Sequence, residues 1–130
     1  MSISIGYRPL GPTVALSVTA SAHTPVAVLC NVSEQPYFAG LLNTGALPVY
    51  VSLMPLSQTG AAPALTGTNT PVFPVDGTST SITNGILLPP LMEIPLLIAA
   101  PAGFNGFAIT AIASGAGPTI IYVAPFTRMT

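Results

Sequence analysis

The sequence contains very little charge. Only 4% of its 130 residues are Asp, Glu, Lys or Arg, against about 25% in an average soluble domain. The charged residues are Arg8, Glu34, Asp76, Glu93 and Arg128. Two arginines cannot neutralise a useful number of phosphates, so the composition predicts no nucleic-acid partner. A nearly neutral surface repels itself weakly and tends to associate, which predicts a subunit of a protein assembly.

Histidine and cysteine occur once each, as His23 and Cys30. A lone cysteine forms no internal disulfide, and the alternating apolar run around Cys30 predicts a small buried side chain. A Ser-His-Asp triad would have to use His23 and Asp76, and no nucleophile-elbow motif accompanies them. The carboxylates are too scattered for metal-ligand spacing. The sequence therefore predicts a protein that is not an enzyme, with no catalytic, cofactor-binding or metal-binding residues and no cofactor.

A long uninterrupted apolar run is missing as well. The most apolar stretch, residues 86–102, contains four prolines and Glu93, whereas a membrane-spanning helix needs about 20 apolar residues with closed backbone hydrogen bonds. The first residues lack a basic region followed by an apolar core, so we expect no secretory signal. These patterns predict no membrane partner.

Alternation of apolar and small polar residues takes the place of helical periodicity. The chain has 12 Gly and 15 Pro, and they interrupt nearly every window long enough for a helix. About eight short strands at spacings of about 8–12 residues are predicted. The strand-like runs are residues 14–19, 26–32, 38–42, 49–54, 86–88, 94–99, 107–112 and 120–124, with 72–75 as a short edge strand. The runs at 86–88 and 94–99 are apolar enough for strands buried on both faces.

This pattern predicts an all-β fold, an antiparallel β-sandwich that is jelly-roll-like, in one domain over residues 1–130. Residues 1–13 are expected to form an extended N-terminal arm, and residues 125–130 a C-terminal tail. Each arm holds one of the two arginines beside an aromatic residue, a combination typical of interface anchors. The candidate partner-interface residues are therefore Tyr7, Arg8, Phe126 and Arg128.

Five segments, in their order along the chain, carry a resemblance to a known family. They are VAVLCNV at 26–32, LNTGALPVYV at 42–51, LPP at 88–90, FAITAIA at 107–113 and IIYV at 120–123. Together they resemble the small, low-charge decoration or cement proteins of tailed-bacteriophage capsids. In such proteins an asparagine–glycine turn joins two strands, and a proline-containing segment precedes the last strands. The resemblance spans roughly residues 14 to 125.

The resemblance implies a virion structural protein that binds the outer surface of the major capsid lattice and stabilises the head. It implies a location on the capsid exterior after synthesis in the host cytoplasm. The implied partners are the major capsid protein and the chain itself, as a dimer or trimer, because capsid symmetry axes favour closed oligomers. Two alternatives stay open: another virion subunit (tail, collar or head-fibre base), or a non-enzymatic adhesin-like binding module.

Overall fold

The computed structural model describes residues 7–21, 25–30, 36–59, 62–64, 73–74, 85–101 and 105–128. Over these residues the chain forms eleven β-strands and no helix, which confirms the predicted all-β class. The edge strand expected at 72–75 lies largely outside the described residues. The strands are β1 (Tyr7–Pro9), β2 (Val14–Val18), β3 (Val26–Leu29), β4 (Phe38–Asn43), β5 (Val49–Pro55), β6 (Ser57–Thr59), β7 (Ala62–Ala64), β8 (Gly85–Leu88), β9 (Leu96–Ala99), β10 (Gly106–Ala113) and β11 (Thr119–Arg128).

Nine strands form two antiparallel sheets that pack as a β-sandwich, as predicted. The five-stranded sheet has the order β1-β11-β4-β9, and β2 pairs with the first half of β11 on the same side as β1. The four-stranded sheet has the order β3-β10-β5-β8. The two remaining strands, β6 and β7, pair with each other.

The strand pairs are nested along the sequence. β2 pairs with β11, β3 with β10, β4 with β9 and β5 with β8, all antiparallel. The first and third of these pairs belong to the five-stranded sheet, and the other two belong to the four-stranded sheet. Pairing of β4 with β11 and of β5 with β10 then completes each sheet. The chain therefore forms one long hairpin that is rolled into two layers.

The core is filled by every second side chain, since successive residues of a strand point to opposite faces. In β5, Val49, Val51 and Leu53 lie in the core, and Tyr50 and Ser52 point away from it, as the alternation predicts. Phe107 is the largest side chain with no exposed surface. The buried residues of the core cluster are Leu16, Val18, Val28, Ala39, Leu41, Val49, Val51, Leu53, Leu88, Phe107, Ile109, Ala111, Ala113, Ile121 and Val123.

The two most apolar runs form edge strands, contrary to the expectation that they are buried on both faces. In β8 only Leu88 is buried, and no residue of β9 is. Pro89 follows β8 and Pro95 precedes β9, and a proline cannot donate to a ladder, which favours edge positions. The strands buried on both faces are the central ones of the four-stranded sheet: all residues of β5 except Pro55 are buried, and all residues of β10 except Ile112.

Pro125 lies inside β11, and the strand continues to Arg128. The sequence predicts a tail over 125–130 and an arm over 1–13, but the described parts of both pair with each other as β11 and β1. The carbonyl of Pro125 accepts the Leu10 N–H at 2.9 Å. In an antiparallel pair the N and the C=O of one residue point to the same neighbouring strand. The nitrogen of Pro125, which has no hydrogen to donate, therefore faces the gap between β1 and β2. A proline is tolerated there because this side is the outer margin of the sheet.

Candidate protein-binding surfaces

The outer faces of the two sheets differ in how far they are covered. On the four-stranded sheet, Ser52, Ala108 and Thr110 point away from the core yet have no exposed surface. Leu56, which follows β5, packs with Met54 and Ala108 on that side. On the five-stranded sheet two outward residues of β11 stay accessible, Ile120 with 43% and Tyr122 with 37% exposed, whereas Ala124 is buried. The outer face of the five-stranded sheet is therefore the one that the described chain leaves open.

This open face contains an apolar groove of about 170 Å³. The aromatic residues Tyr122 and Phe126 come from β11, and Leu42 comes from the neighbouring β4. Thr13 and Tyr122 are the only lining residues with polar side-chain atoms. The lining residues are Thr13, Gly40, Leu42, Pro95, Tyr122, Val123, Ala124 and Phe126. A concave surface of this kind favours an apolar group of a partner over a polar one.

Gly40 determines where the aromatic ring of Phe126 lies. A Cβ atom at Gly40 would be 2.5 Å from Cε2 of the Phe126 ring, well inside the ~3.5–4.0 Å optimum for carbon contacts. Only the absence of a side chain at Gly40 lets the ring lie this close to the backbone of β4. Gly40 itself lines the groove. The position that its Cβ would occupy lies 3.5 Å from Cδ2 of Leu97.

The four predicted interface residues come together at one margin of the five-stranded sheet. The register places Tyr7 opposite Arg128, Arg8 opposite Thr127 and Pro9 opposite Phe126. Of the four, Phe126 lines the groove, and Arg8 is exposed on the short strand β1. The sequence pointed to Phe126 because it follows a strand beside an arginine. The sequence gave no reason to single out Tyr122. Alternation shows which residues of a strand share a face, but not whether that face lies in the core or on the outside.

A second surface lies at the end of the sandwich, and it is organised by the buried side chain of Asn43. Its Nδ2 donates to the carbonyl oxygens of Leu47 at 2.8 Å and Pro89 at 3.1 Å. Its Oδ1 accepts the Gly45 N–H at 3.1 Å and the Thr119 hydroxyl at 3.2 Å. Both donors and both acceptor positions of the amide are therefore used. One side chain links the β4–β5 connection, the β8–β9 connection and the start of β11.

The same network holds the β8–β9 connection, residues 89–95, in a fixed shape. The Leu91 N–H donates to the Gly45 carbonyl at 2.9 Å, and the Met92 N–H donates to the Asn43 carbonyl at 2.8 Å. Leu91 has a φ of 55°, a left-handed conformation that is rare for a branched side chain. Leu91 is 69% and Ile94 78% exposed. Large apolar side chains on a rigid, strained loop are typical of a preformed contact surface.

Asn43 is a residue that the sequence did not single out. The triplet Asn43-Thr44-Gly45 reads as a turn, in which an asparagine would lie at the surface. In the structure Asn43 is the last residue of β4 and has no exposed surface. The signal in the sequence is the spacing to Gly45, because an asparagine oxygen commonly accepts the N–H two residues later.

Only some of the residues considered for catalysis or metal binding lie in the described part of the chain. His23, Glu34 and Asp76 lie outside the described residues. Cys30 is half-buried just after β3, and its N–H donates to the Asn105 carbonyl at 2.9 Å. Among the described residues no three His, Cys, Asp or Glu side chains lie together as metal ligands. No helix in the described part of the chain is long and apolar enough to span a bilayer.

Comparison of the chain with protein families, with curated proteins and with solved structures gives no match. The class of protein therefore follows from the fold and these surfaces: an all-β sandwich with a sheet face that the described residues leave open and a loop at one end that exposes Leu91 and Ile94.

Proposed function

We propose that this chain is a capsid decoration or cement protein of a tailed bacteriophage, a virion structural subunit that binds the outer surface of the major capsid lattice and stabilises the head. One observation carries the proposal. A chain with 4% charged residues presents two contact surfaces with little charge: the open face of the five-stranded sheet, whose groove is apolar, and the loop at 89–95, where Glu93 is the one charged residue beside the exposed Leu91 and Ile94. A subunit that contacts both the shell and a second copy of itself needs more than one contact surface.

The strand order supports this proposal. Nested pairing of β2 with β11, β3 with β10, β4 with β9 and β5 with β8 corresponds to a jelly roll, and we assign the chain to that topology. Jelly rolls recur in viral capsid and lectin domains. This topology therefore supports a role as a virion subunit.

Binding would rest on burial of apolar surface rather than on ion pairs. Each apolar Å² removed from water contributes about 25 cal/mol, and the fixed backbone of Leu91 reduces the entropy lost on binding. A single contact of this size is weak. A repeating lattice offers the same contact many times, and oligomers bound to it gain avidity. Bound subunits stabilise the assembled shell by mass action, because they bind the intact lattice and not its dissociated parts.

The adhesin-like alternative draws support from the two aromatic residues in the groove, Tyr122 and Phe126. A sugar, however, needs several polar partners for its hydroxyl groups, since burying an unpaired hydroxyl costs roughly 1–3 kcal/mol. Among the lining residues only Thr13 and Tyr122 have polar side-chain atoms. The groove therefore favours a protein partner.

The test uses shells of the virus that carries the gene, prepared without this chain. Purified chain is mixed with the shells, the mixture is sedimented, and heat resistance of the shells is measured with and without it. We expect saturable binding and a higher disruption temperature. Leu91→Glu should lose binding, because it replaces the exposed apolar side chain of Leu91 with a carboxylate that would have to be buried at the contact. Leu29→Glu is the matched control, since Leu29 is 40% exposed on the other sheet.

Failure of the purified chain to bind shells, or unchanged heat resistance of decorated shells, would refute the proposal. Labelled antibody on whole particles separates the shell from the other virion positions. Signal over the whole head supports decoration, whereas signal confined to the tail, the collar or a fibre base refutes it. Binding to a glycan array that Tyr122→Ala abolishes would favour the adhesin-like alternative.

A further inference from the structure

We infer that the open face of the five-stranded sheet is the contact between two copies of this chain, packed face to face about a two-fold axis. The inference rests on the proposed function, because it assigns the self-contact of that same virion subunit. It leaves the loop residue Leu91 free for the shell.

The edges of both sheets are poorly suited to self-association. All five edge strands are five residues long or shorter, and each contains a proline or begins or ends within two residues of one, and a proline cannot donate a ladder hydrogen bond. Short edges with proline are the devices that prevent strand addition. These prolines are Pro9, Pro12, Pro25, Pro89 and Pro95. Association of two copies is therefore favoured through a face.

The open face is suited to pair with itself because its described side chains are uncharged. A two-fold contact places each patch against an identical patch, so any charge would meet a like charge near the axis. The groove and the neighbouring outward positions contain Leu42, Leu97, Ile120, Tyr122 and Phe126, and no Asp, Glu, Lys, Arg or His is among these residues. Among the described outward side chains no like charges meet, and apolar burial favours the contact.

The size of the face meets the requirement for a specific dimer. Four strand positions at about 4.8 Å spacing, with an average of about seven residues at 3.4 Å each, give a flat area of about 450 Å² per copy. Both copies together present about 900 Å² before the relief of the side chains and the groove walls is added. A specific protein interface needs about 1,000 Å², so the contact has to cover nearly the whole face of both copies together with its side-chain relief.

The groove also has a candidate occupant in the second copy. Ile94 is 78% exposed and precedes Pro95, which lines the groove. The two-fold axis of such a dimer lies in the plane of the interface. Where it passes midway between Ile94 and the groove, it places Ile94 of each copy over the groove of the other copy. The groove volume of about 170 Å³ is enough for a branched aliphatic side chain, since an apolar cavity of about 150 Å³ holds a benzene molecule.

The test is sedimentation equilibrium of the purified chain without shells, and it uses two closely matched variants. Ile120→Glu changes a residue on the open face that is 43% exposed, and Leu29→Glu changes one on the other sheet that is 40% exposed. We expect a dimer for the natural chain and for Leu29→Glu. Ile120→Glu should raise the dimer dissociation constant about a hundredfold or more, because like charges facing each other across an interface cost several kcal/mol.

A second variant guards against misfolding of the first. Ile94→Glu lies on an exposed loop and should weaken the dimer as well, with an unchanged melting temperature of the dissociated chain. A natural chain that stays monomeric, a trimer, or a dimer that Leu29→Glu disrupts and Ile120→Glu does not, would each overturn the inference. A dimer that binds no shell refutes the proposed function alone. A monomer that binds shells refutes the dimer alone.

Discussion

Asn43 is expected to contribute more to stability than any other polar side chain among the described residues. Asn43→Ala removes an amide that makes four hydrogen bonds. The carbonyls of Leu47 and Pro89, the Gly45 N–H and the Thr119 hydroxyl lose their partner. Each buried polar group left unsatisfied costs roughly 1–3 kcal/mol. Water can reach some of these groups after the change, so we expect a total loss of about 3–5 kcal/mol.

This loss is a large fraction of the stability of a domain, which is about 5–15 kcal/mol in all. The measurement is urea unfolding at equilibrium, with thermal unfolding as a second probe. For a chain of this length each kcal/mol lowers the melting temperature by about 3–5 °C, so the expected decrease is roughly 10–20 °C. Asn43→Asp should be no better, because an oxygen would then face the two carbonyls that now receive N–H donors.

Thr44→Ala is the control for the Asn43 variants. Thr44 is exposed, and its hydroxyl donates to the Ile120 carbonyl at 3.3 Å. Its removal should change the free energy of unfolding by no more than about 1 kcal/mol. A loss below about 1 kcal/mol for Asn43→Ala, or equal losses for the two variants, would refute the idea that Asn43 holds this end of the sandwich together.

Three further predictions test separate features of the fold and surfaces. Gly40→Ala should cost about 1–3 kcal/mol in urea unfolding because the new Cβ meets the Phe126 ring, and Phe126→Ala in the same chain should recover part of it. Leu91→Gly should leave stability within about 1 kcal/mol, because it relieves a positive φ, yet weaken shell binding. Pro125→Ala should change stability by less than about 1 kcal/mol in thermal unfolding, since the restored N–H faces the gap beside Leu10; a loss above 2 kcal/mol would contradict this.

Local patterns in the sequence were sufficient to predict the all-β class. Gly and Pro at short intervals prevent helices, and alternation marks the strands, because both effects act within a few residues. Alternation also assigned Val49, Val51 and Leu53 to one face and Tyr50 to the other. It did not show that β5 is buried on both faces, since burial of the outer face depends on what else in the fold lies against it.

The candidate surfaces were predictable only in part. Phe126 was found because it is an aromatic residue close to the C-terminus beside an arginine. Its role in a groove required Gly40, which lies 86 positions earlier and meets it only through the β4–β11 register. The loop residues Leu91 and Ile94 were expected within or beside buried strands, because hydropathy does not distinguish an exposed apolar loop from a buried strand.

The scarcity of charge is a property of the sequence by itself, and it predicts that this chain associates with protein rather than with nucleic acid. Where it associates is decided by the tertiary structure. Side chains far apart in sequence form one uncharged face only after β4, β9 and β11 pair in register. The sequence also places prolines beside the apolar runs, but only the rolled hairpin makes those runs edges and leaves a broad face open. The physical reason is that propensity acts over neighbouring residues, whereas exposure depends on every layer that packs against a strand.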